Sequence, residues 1–150
     1  MLKKEFITQF RKEVGISDLN FNEDNLCRLV IDKSIIINIE WIDNKALYLY
    51  SVVGISDALT PNQTLSLLHA NAYGRGVGEN HLAIDEHTNE IIIQHICNLD
   101  KLTIKDTISH LENLICFAKV WKRKLLAPPP QSTHNNLSTN KKKQPNLIHI

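Results

Sequence analysis

The chain has 150 residues, about the size of one ordinary domain, and its 43% hydrophobic and 22% charged residues are typical of a soluble globular protein. No apolar run approaches the roughly 20 residues that a membrane-spanning helix needs, and the start of the chain lacks the apolar core of a secretory signal. Residues 1–121 hold 11 Lys and Arg against 16 Asp and Glu, a net charge of −5, whereas residues 122–150 hold six bases and no acid. This acidic body argues against nucleic-acid binding, which needs clustered bases on the folded surface. We expect one domain in the cytoplasm, without membrane insertion.

The first half of the chain predicts a helix followed by three strands. Apolar side chains recur at every fourth position, at Leu2, Phe6, Phe10 and Val14. This period predicts an amphipathic helix over about 2–14, which Gly15 ends. Short apolar runs follow at 26–32, 35–41 and 46–53, with turn residues between them. Such spacing favours a three-stranded antiparallel meander.

The second half predicts a helix, a hairpin and a long last helix. Residues 60–63, Thr-Pro-Asn-Gln, combine an N-cap, a first-turn proline and a capping-box glutamine, so a helix should run from there to about residue 72. Strands are expected over 81–85 and 90–97, and a third helix over 103–126. The predicted fold is α+β, in the order α-β-β-β-α-β-β-α, with a twisted antiparallel sheet flanked by helices.

Residues 127–150 differ in composition from the rest of the chain. They begin with three consecutive prolines and continue with Gln, Ser, Thr, Asn and Lys. Such a segment buries too little apolar surface to offset its ordering entropy. We therefore predict a domain over 1–126 and a disordered tail over 127–150.

Few residues suggest catalysis or a cofactor. The glycines between Gly74 and Gly78 follow a helix and lack the spacing of a dinucleotide fingerprint, so a helix end and a loose connection is the favoured interpretation. A small ligand-binding or enzymatic module that uses this loop and Arg75 is the alternative. No histidine or cysteine cluster has metal-ligand spacing, and no nucleophile motif occurs. We expect no enzyme activity, no cofactor and no metal site.

The three cysteines are odd in number, form no C-x-x-C pair and each lie in an apolar stretch: Cys27, Cys97 and Cys116. This usage favours reduced, buried thiols over a disulfide framework.

Apolar residues occupy both faces of the predicted strands. In the second strand one face holds Ile35, Ile37, Ile39 and Trp41. Ile36 nevertheless adds an apolar side chain to the other face, and the third and fifth strands show the same excess. Three helices are few to cover a five-stranded sheet twice. Exposed apolar patches that bind another protein are therefore expected, unless the helices do cover both faces.

Several stretches, in this order, resemble a known family. They are residues 21–27 leading to Ile31-Asp32, Leu67-Leu68-His69-Ala70-Asn71, Leu82-Ala83-Ile84-Asp85, and Leu111-Glu112-Asn113 with Ala118 and Trp121. Over residues 2–126 the chain resembles the class I type III secretion chaperones, the Tir chaperone (CesT) family. The basic, proline-led tail has no counterpart that we can place in that family.

The resemblance implies a bacterial, cytoplasmic, ATP-independent homodimer. Such a chaperone binds the N-terminal chaperone-binding segment of secreted effectors, keeps it non-globular and presents it to the export apparatus, with the secretion-associated ATPase as a candidate partner. The family's dimer contact implies interface candidates on the second helix and fourth strand: Leu65, Leu68, Ala72, Leu82 and Ile84. Intramolecular core is their competing role. Effector contacts in the family point to Phe6, Phe10, Val30, Ile36, Tyr48, Ile92 and Ile96.

Overall fold

The computed structural model of the protein describes residues 1–43 and 45–127. Asn44, in a predicted turn, and residues 128–150, nearly all of the predicted tail, lie outside the described residues. The elements are α1 (Lys3–Val14), β1 (Leu26–Ile31), β2 (Ile35–Ile42), β3 (Ala46–Ile55), α2 (Pro61–Asn71), β4 (His81–Ile84), β5 (Glu90–Asn98) and α3 (Ile104–Leu126). The predicted α+β class and element order are confirmed. Among the described residues, no helix combines the length and apolarity that crossing a bilayer requires.

The helices begin and end where local chemistry predicts. Gly15 ends α1 with a φ of 72°, in the left-handed region that glycine adopts without strain. Thr60 begins α2 with a full capping box, since its hydroxyl accepts from the Gln63 amide and the Gln63 side chain accepts from the Thr60 amide. Thr103 caps α3 by accepting from the Asp106 amide at 3.1 Å. These caps set the directions in which α2 and α3 leave the sheet.

The five strands form one antiparallel sheet in the order β1-β2-β3-β5-β4. The meander places β1, β2 and β3 side by side, and β5 continues the sheet from β3. The chain crosses from β3 through α2 to reach β4, which pairs with β5 at the far edge. The strands β1 and β4 therefore form the two edges.

One face of the sheet carries the core. The buried strand residues follow one alternation, including Leu29, Ile37, Ile39, Leu47, Leu49, Ile91 and Ile93. The helices α1 and α3 cover this face with the buried side chains of Phe6, Phe10, Leu111, Leu114, Ala118 and Trp121. Both long amphipathic helices therefore pack on the same side of the sheet, and among the described helical residues only the end of α3, at Lys122 and Leu126, reaches a corner of the opposite face.

The assignment of Phe6 and Phe10 to an exposed effector patch is wrong. Both side chains are 0% exposed. Their rings stack with centroids 5.3 Å apart, and the Phe6 ring lies 5.6 Å from that of Trp41. The amphipathic helix predicted for this segment is confirmed, but its apolar stripe faces the core, where the Phe6 ring packs against the indole of Trp41.

The expectation of three buried thiols holds for Cys27 and Cys97 and is wrong for Cys116, which is exposed on α3. Burial raises the pKa of the Cys97 thiol to about 11, and it also raises the pKa of Cys27. The residue pattern placed Cys116 beside apolar neighbours, but its own position on α3 faces outward.

A thiol reagent should therefore label one cysteine in the native protein and three after denaturation. The reactive species is the thiolate, which burial suppresses at Cys27 and Cys97. Ellman's reagent at pH 8 measures the count. The Cys116→Ser variant should show almost no labelling while folded, and rapid labelling of that variant would contradict the assigned burial.

Candidate partner-binding surfaces

The face of the sheet opposite the core is open and mainly apolar. Antiparallel register brings Val30 beside Ile36, and Val52 beside Ile92. Nearer the other end of the strands, Tyr48 pairs with Ile96. Directly paired residues share a face, so these side chains form rows across the strands. We call the set Val30, Ile36, Tyr48, Val52, Ile92 and Ile96 the open face.

The open face brings together five of the seven residues predicted to bind an effector: Val30, Ile36, Tyr48, Ile92 and Ile96. Val30 is 62% exposed, Ile96 50% and Ile36 46%. Tyr48 and Ile92 are half-buried. Large apolar side chains at such exposure, gathered on one surface, are typical of sites that bind another protein.

A polar row crosses the middle of the open face. Arg28 Nε donates to Asn38 Oδ1 at 3.1 Å, and Asn38 pairs with Tyr50 on β3. Burial, followed by the nearby carboxylate of Glu40, raises the pKa of the Tyr50 phenol, so this hydroxyl is a neutral donor at physiological pH. Asn38 is buried and positions the Arg28 guanidinium, whose remaining donors, with the Tyr50 hydroxyl, can hydrogen-bond the backbone of a bound segment. The flanking apolar rows can contact the side chains of that segment. The sequence pattern alone does not reveal this row, although alternation places Asn38 among isoleucines.

A groove of about 440 Å³ lies at one corner of the open face, between the sheet and the end of α3. Ile36, Val52 and Leu126 contribute its apolar walls, and Arg28 and Lys122 contribute positive charge. Lys122 Nζ donates to the Ser34 carbonyl at 2.6 Å, and Lys119 pairs with Asp32 at 2.5 Å. These contacts fix the end of α3 against the turn between β1 and β2, so the groove has a defined shape.

The second apolar surface lies on α2 and β4. Leu68 is 64% exposed, Leu65 51% and Ile84 44%, and Ala72 is exposed beside them. Leu82 is only 7% exposed. It therefore packs in the intramolecular core, the competing role expected for these candidates, and offers little surface to a dimer contact. We call Leu65, Leu68, Ala72 and Ile84 the α2/β4 surface.

The side chain of Asn71 fixes α2 against the edge strand β4. Its Nδ2 donates to the Leu82 carbonyl at 3.0 Å, and its Oδ1 accepts from the Leu82 amide at 2.8 Å. One amide side chain thus satisfies both backbone groups of an edge-strand residue, which lowers the risk of unwanted strand pairing there. In the sequence, the available signal for this contact was a polar residue, Asn71, that follows two leucines in a predicted apolar helix.

The glycine loop has a structural role in the described fold. A Cβ on Gly76 would lie 2.7 Å from Cβ of Ala70, so only glycine permits this close approach to α2. The Gly76 carbonyl accepts from Trp121 Nε1 at 2.9 Å, and Val77 is fully buried. Arg75 lies over the Tyr73 ring, 5.3 Å from its centroid. This geometry favours the helix end and connection over the ligand-binding module.

A sheet with one open face beside the apolar α2/β4 surface is an arrangement that known proteins share. Residues 5–122 match the model of the Tir chaperone protein (CesT) family. The chain belongs to this family. A Tir chaperone from Citrobacter freundii is 27% identical to this member over an alignment of 115 residues that covers 72% of this chain and 74% of that protein.

Two solved structures show the same fold. A chain of the ExsC–ExsE complex has a TM-score of 0.70 at 22% identity, covering 87% of this CesT-family chain and 98% of that chain. A chain of the HopA1–SchA chaperone–effector complex has a TM-score of 0.69 at 15% identity, covering 80% and 92%. At these identities the likeness concerns the fold of the CesT-family protein.

Proposed function

We propose that this protein is a type III secretion chaperone that works in the bacterial cytoplasm without ATP. It binds the N-terminal chaperone-binding segment of one or more effectors, keeps that segment non-globular, and presents it to the export apparatus. Membership of the CesT family supports this role, as does a fold shared with a chain of a chaperone–effector complex. A chaperone role accounts for the protein without any catalytic step.

The open face is the observation that carries the proposal. Its rows of exposed and half-buried isoleucine, valine and tyrosine side chains need a partner, and the central row supplies hydrogen-bonding groups. An extended segment offers spaced apolar side chains and a free backbone, which match the two kinds of row. Coupled ordering of such a segment buries roughly 1,000–3,000 Å² and costs several kcal/mol of conformational entropy.

The α2/β4 surface is the proposed dimer contact. Its exposed leucines lie on a helix that is already buried on its other side through Leu67 and Ala70. A second copy of the chain would cover Leu65, Leu68, Ala72 and Ile84. Two open faces in one dimer would then bind a single long segment, and engagement of the first raises its effective concentration at the second.

Charge adds to the attraction. The net charge of −5 over residues 1–121 favours an effector segment rich in lysine and arginine. Salt screens such an interaction. Because the body is acidic and the family role involves protein partners, we do not propose nucleic-acid binding. The secretion-associated ATPase is a proposed docking partner.

Calorimetry with the full chain and N-terminal segments of type III effectors from the same bacterium tests this function. We expect binding without ATP, at one segment per dimer, for at least one effector. The bound segment should remain sensitive to protease outside the contact region, because the chaperone does not fold it into a globule. Failure of every effector segment to bind would contradict the proposed function.

Val30→Asp should weaken effector binding by about tenfold or more while leaving the free energy of unfolding nearly unchanged. Val30 lies on an edge strand and is 62% exposed. The introduced aspartate carboxylate therefore stays hydrated in the free protein but must lose water when a segment binds over it. Calorimetry measures the affinity, and urea denaturation measures the stability.

The matched control is Leu2→Asp. Leu2 is also an exposed apolar residue, at 73%, but it precedes α1, which packs on the core side of the sheet. This variant should bind normally. Equal losses of affinity in the two variants would show that added negative charge, and not the open face, controls binding.

A further inference from the structure

Two histidines and a glutamate meet where three segments of the chain converge. His95 lies on β5, His110 on α3, and Glu79 in the connection before β4. The two imidazole rings stack with centroids 4.0 Å apart and planes 20° apart. His110 Nδ1 is 3.2 Å from Glu79 Oε2. One ligand atom from each of the three residues lies within 4.8 Å of the others.

Backbone contacts settle which nitrogen of His95 is available. Its Nδ1 lies 3.2 Å from the Glu79 carbonyl oxygen, which can only accept, so Nδ1 donates and the lone pair is on Nε2. The neutral imidazole that carries this lone pair is the form that binds metal ions.

We propose that Glu79, His95 and His110 form a site for a divalent transition metal ion, with Zn²⁺ as the expected occupant. Two imidazoles and one carboxylate are a donor set that zinc accepts, with a fourth position for water. Metal bonds of about 2.0–2.2 Å bring tetrahedral ligand atoms to about 3.4 Å from one another. The stacked imidazole planes do not converge on one point, so metal binding requires the His110 ring, whose side chain is 27% exposed, to turn toward His95. The Glu79 side chain is 72% exposed and can turn to complete the site.

The surroundings of the site resemble those of metal sites in general. A ligating histidine usually donates its second ring N–H to a carbonyl or a carboxylate, as His95 does to Glu79. The backbone beside Glu79 is also fixed, because Asn80 is 2% exposed and its Nδ2 donates to Asn113 Oδ1 on α3 at 2.7 Å. A bound ion would therefore join β5, α3 and the start of β4 through rigid supports.

Zinc and cobalt titrations of the full-length protein test the proposal. The background is Cys116→Ser, which removes an exposed thiol that binds metal by itself. Zn²⁺ should bind at one site per chain by calorimetry and raise the melting temperature. Co²⁺ should give the visible absorption of a tetrahedral complex. Glu79→Gln and His110→Asn should each weaken Zn²⁺ binding by about tenfold or more and abolish the cobalt spectrum.

The chain contains a matched control in the turn between β4 and β5. There His87 lies 3.8 Å from Glu86, with both side chains more than four-fifths exposed. His87→Asn removes a histidine beside a glutamate without touching the proposed site, so its affinity for Zn²⁺ should equal that of the parent. If Glu79→Gln, an exposed substitution that leaves the fold intact by circular dichroism, binds Zn²⁺ as tightly as the parent, the proposal is overturned. Absence of any zinc binding at millimolar concentration would overturn it as well.

Discussion

A Phe6→Ala protein should be less stable to unfolding by about 3–5 kcal/mol, the largest loss expected from a single truncation in α1. The Phe6 ring is fully buried and lies within 5.3–6.3 Å of the Phe10, Phe21 and Trp41 rings. Its removal leaves a cavity that the three remaining rings cannot easily fill. Phe6→Asp should unfold the protomer outright, because an unpaired carboxylate would replace the ring in this cluster.

Urea denaturation followed by circular dichroism measures the effect. Gln9→Ala is the control, since Gln9 lies on the same helix but is exposed, and its variant should stay within about 0.5 kcal/mol of the parent. A Phe6→Ala protein of parental stability would show that α1 does not pack on the sheet as described.

Leu68→Asp should convert the proposed dimer near 34 kDa, twice the chain mass of 17.1 kDa, to a monomer. Leu68 is 64% exposed in the protomer, so aspartate is tolerated there before association. In the proposed contact the carboxylate would be buried against the leucines of the second copy without a partner, at a cost of several kcal/mol. Light scattering at micromolar concentration measures the mass.

The control for this prediction is Leu2→Asp. Leu2 is a leucine of similar exposure, 73%, and it precedes α1, away from the α2/β4 surface. This variant should remain dimeric, and both variants should keep the circular dichroism spectrum of the parent. A parent protein that is monomeric at micromolar concentration would remove the dimer contact from the proposal and leave the open face to act alone.

The secondary structure was predictable because its signals are local. A period of four defined α1, alternating apolar runs defined the strands, and the capping sequence at Thr60 defined the start of α2 to within one residue. The apolar excess on both strand faces correctly indicated that the helices leave one face uncovered. Val30, Ile36 and Ile96 could therefore be predicted as exposed apolar residues, because they lie on this uncovered face.

An apolar pattern in the sequence does not reveal which neighbour the apolar side chains will contact. Phe6 and Leu82 have the same pattern whether they face the core or a partner, and only packing against Trp41 in one case and under α2 in the other decides the outcome. The cluster of Glu79, His95 and His110 was invisible for a related reason. Its members have no ligand spacing in the sequence and meet only after α3 has packed across β5.

The sequence by itself determined the elements, their order and the excess of apolar side chains, because hydrophobic periodicity and capping act over a few residues. The tertiary structure alone decided that α1 and α3 share one face, that Val30, Ile36, Tyr48, Ile92 and Ile96 share the other, and that Asn71 closes the edge of β4. These outcomes depend on contacts between residues far apart in the chain. Alternation defines two faces of a strand, but the choice of the covered face follows from how the helices fill the space above it.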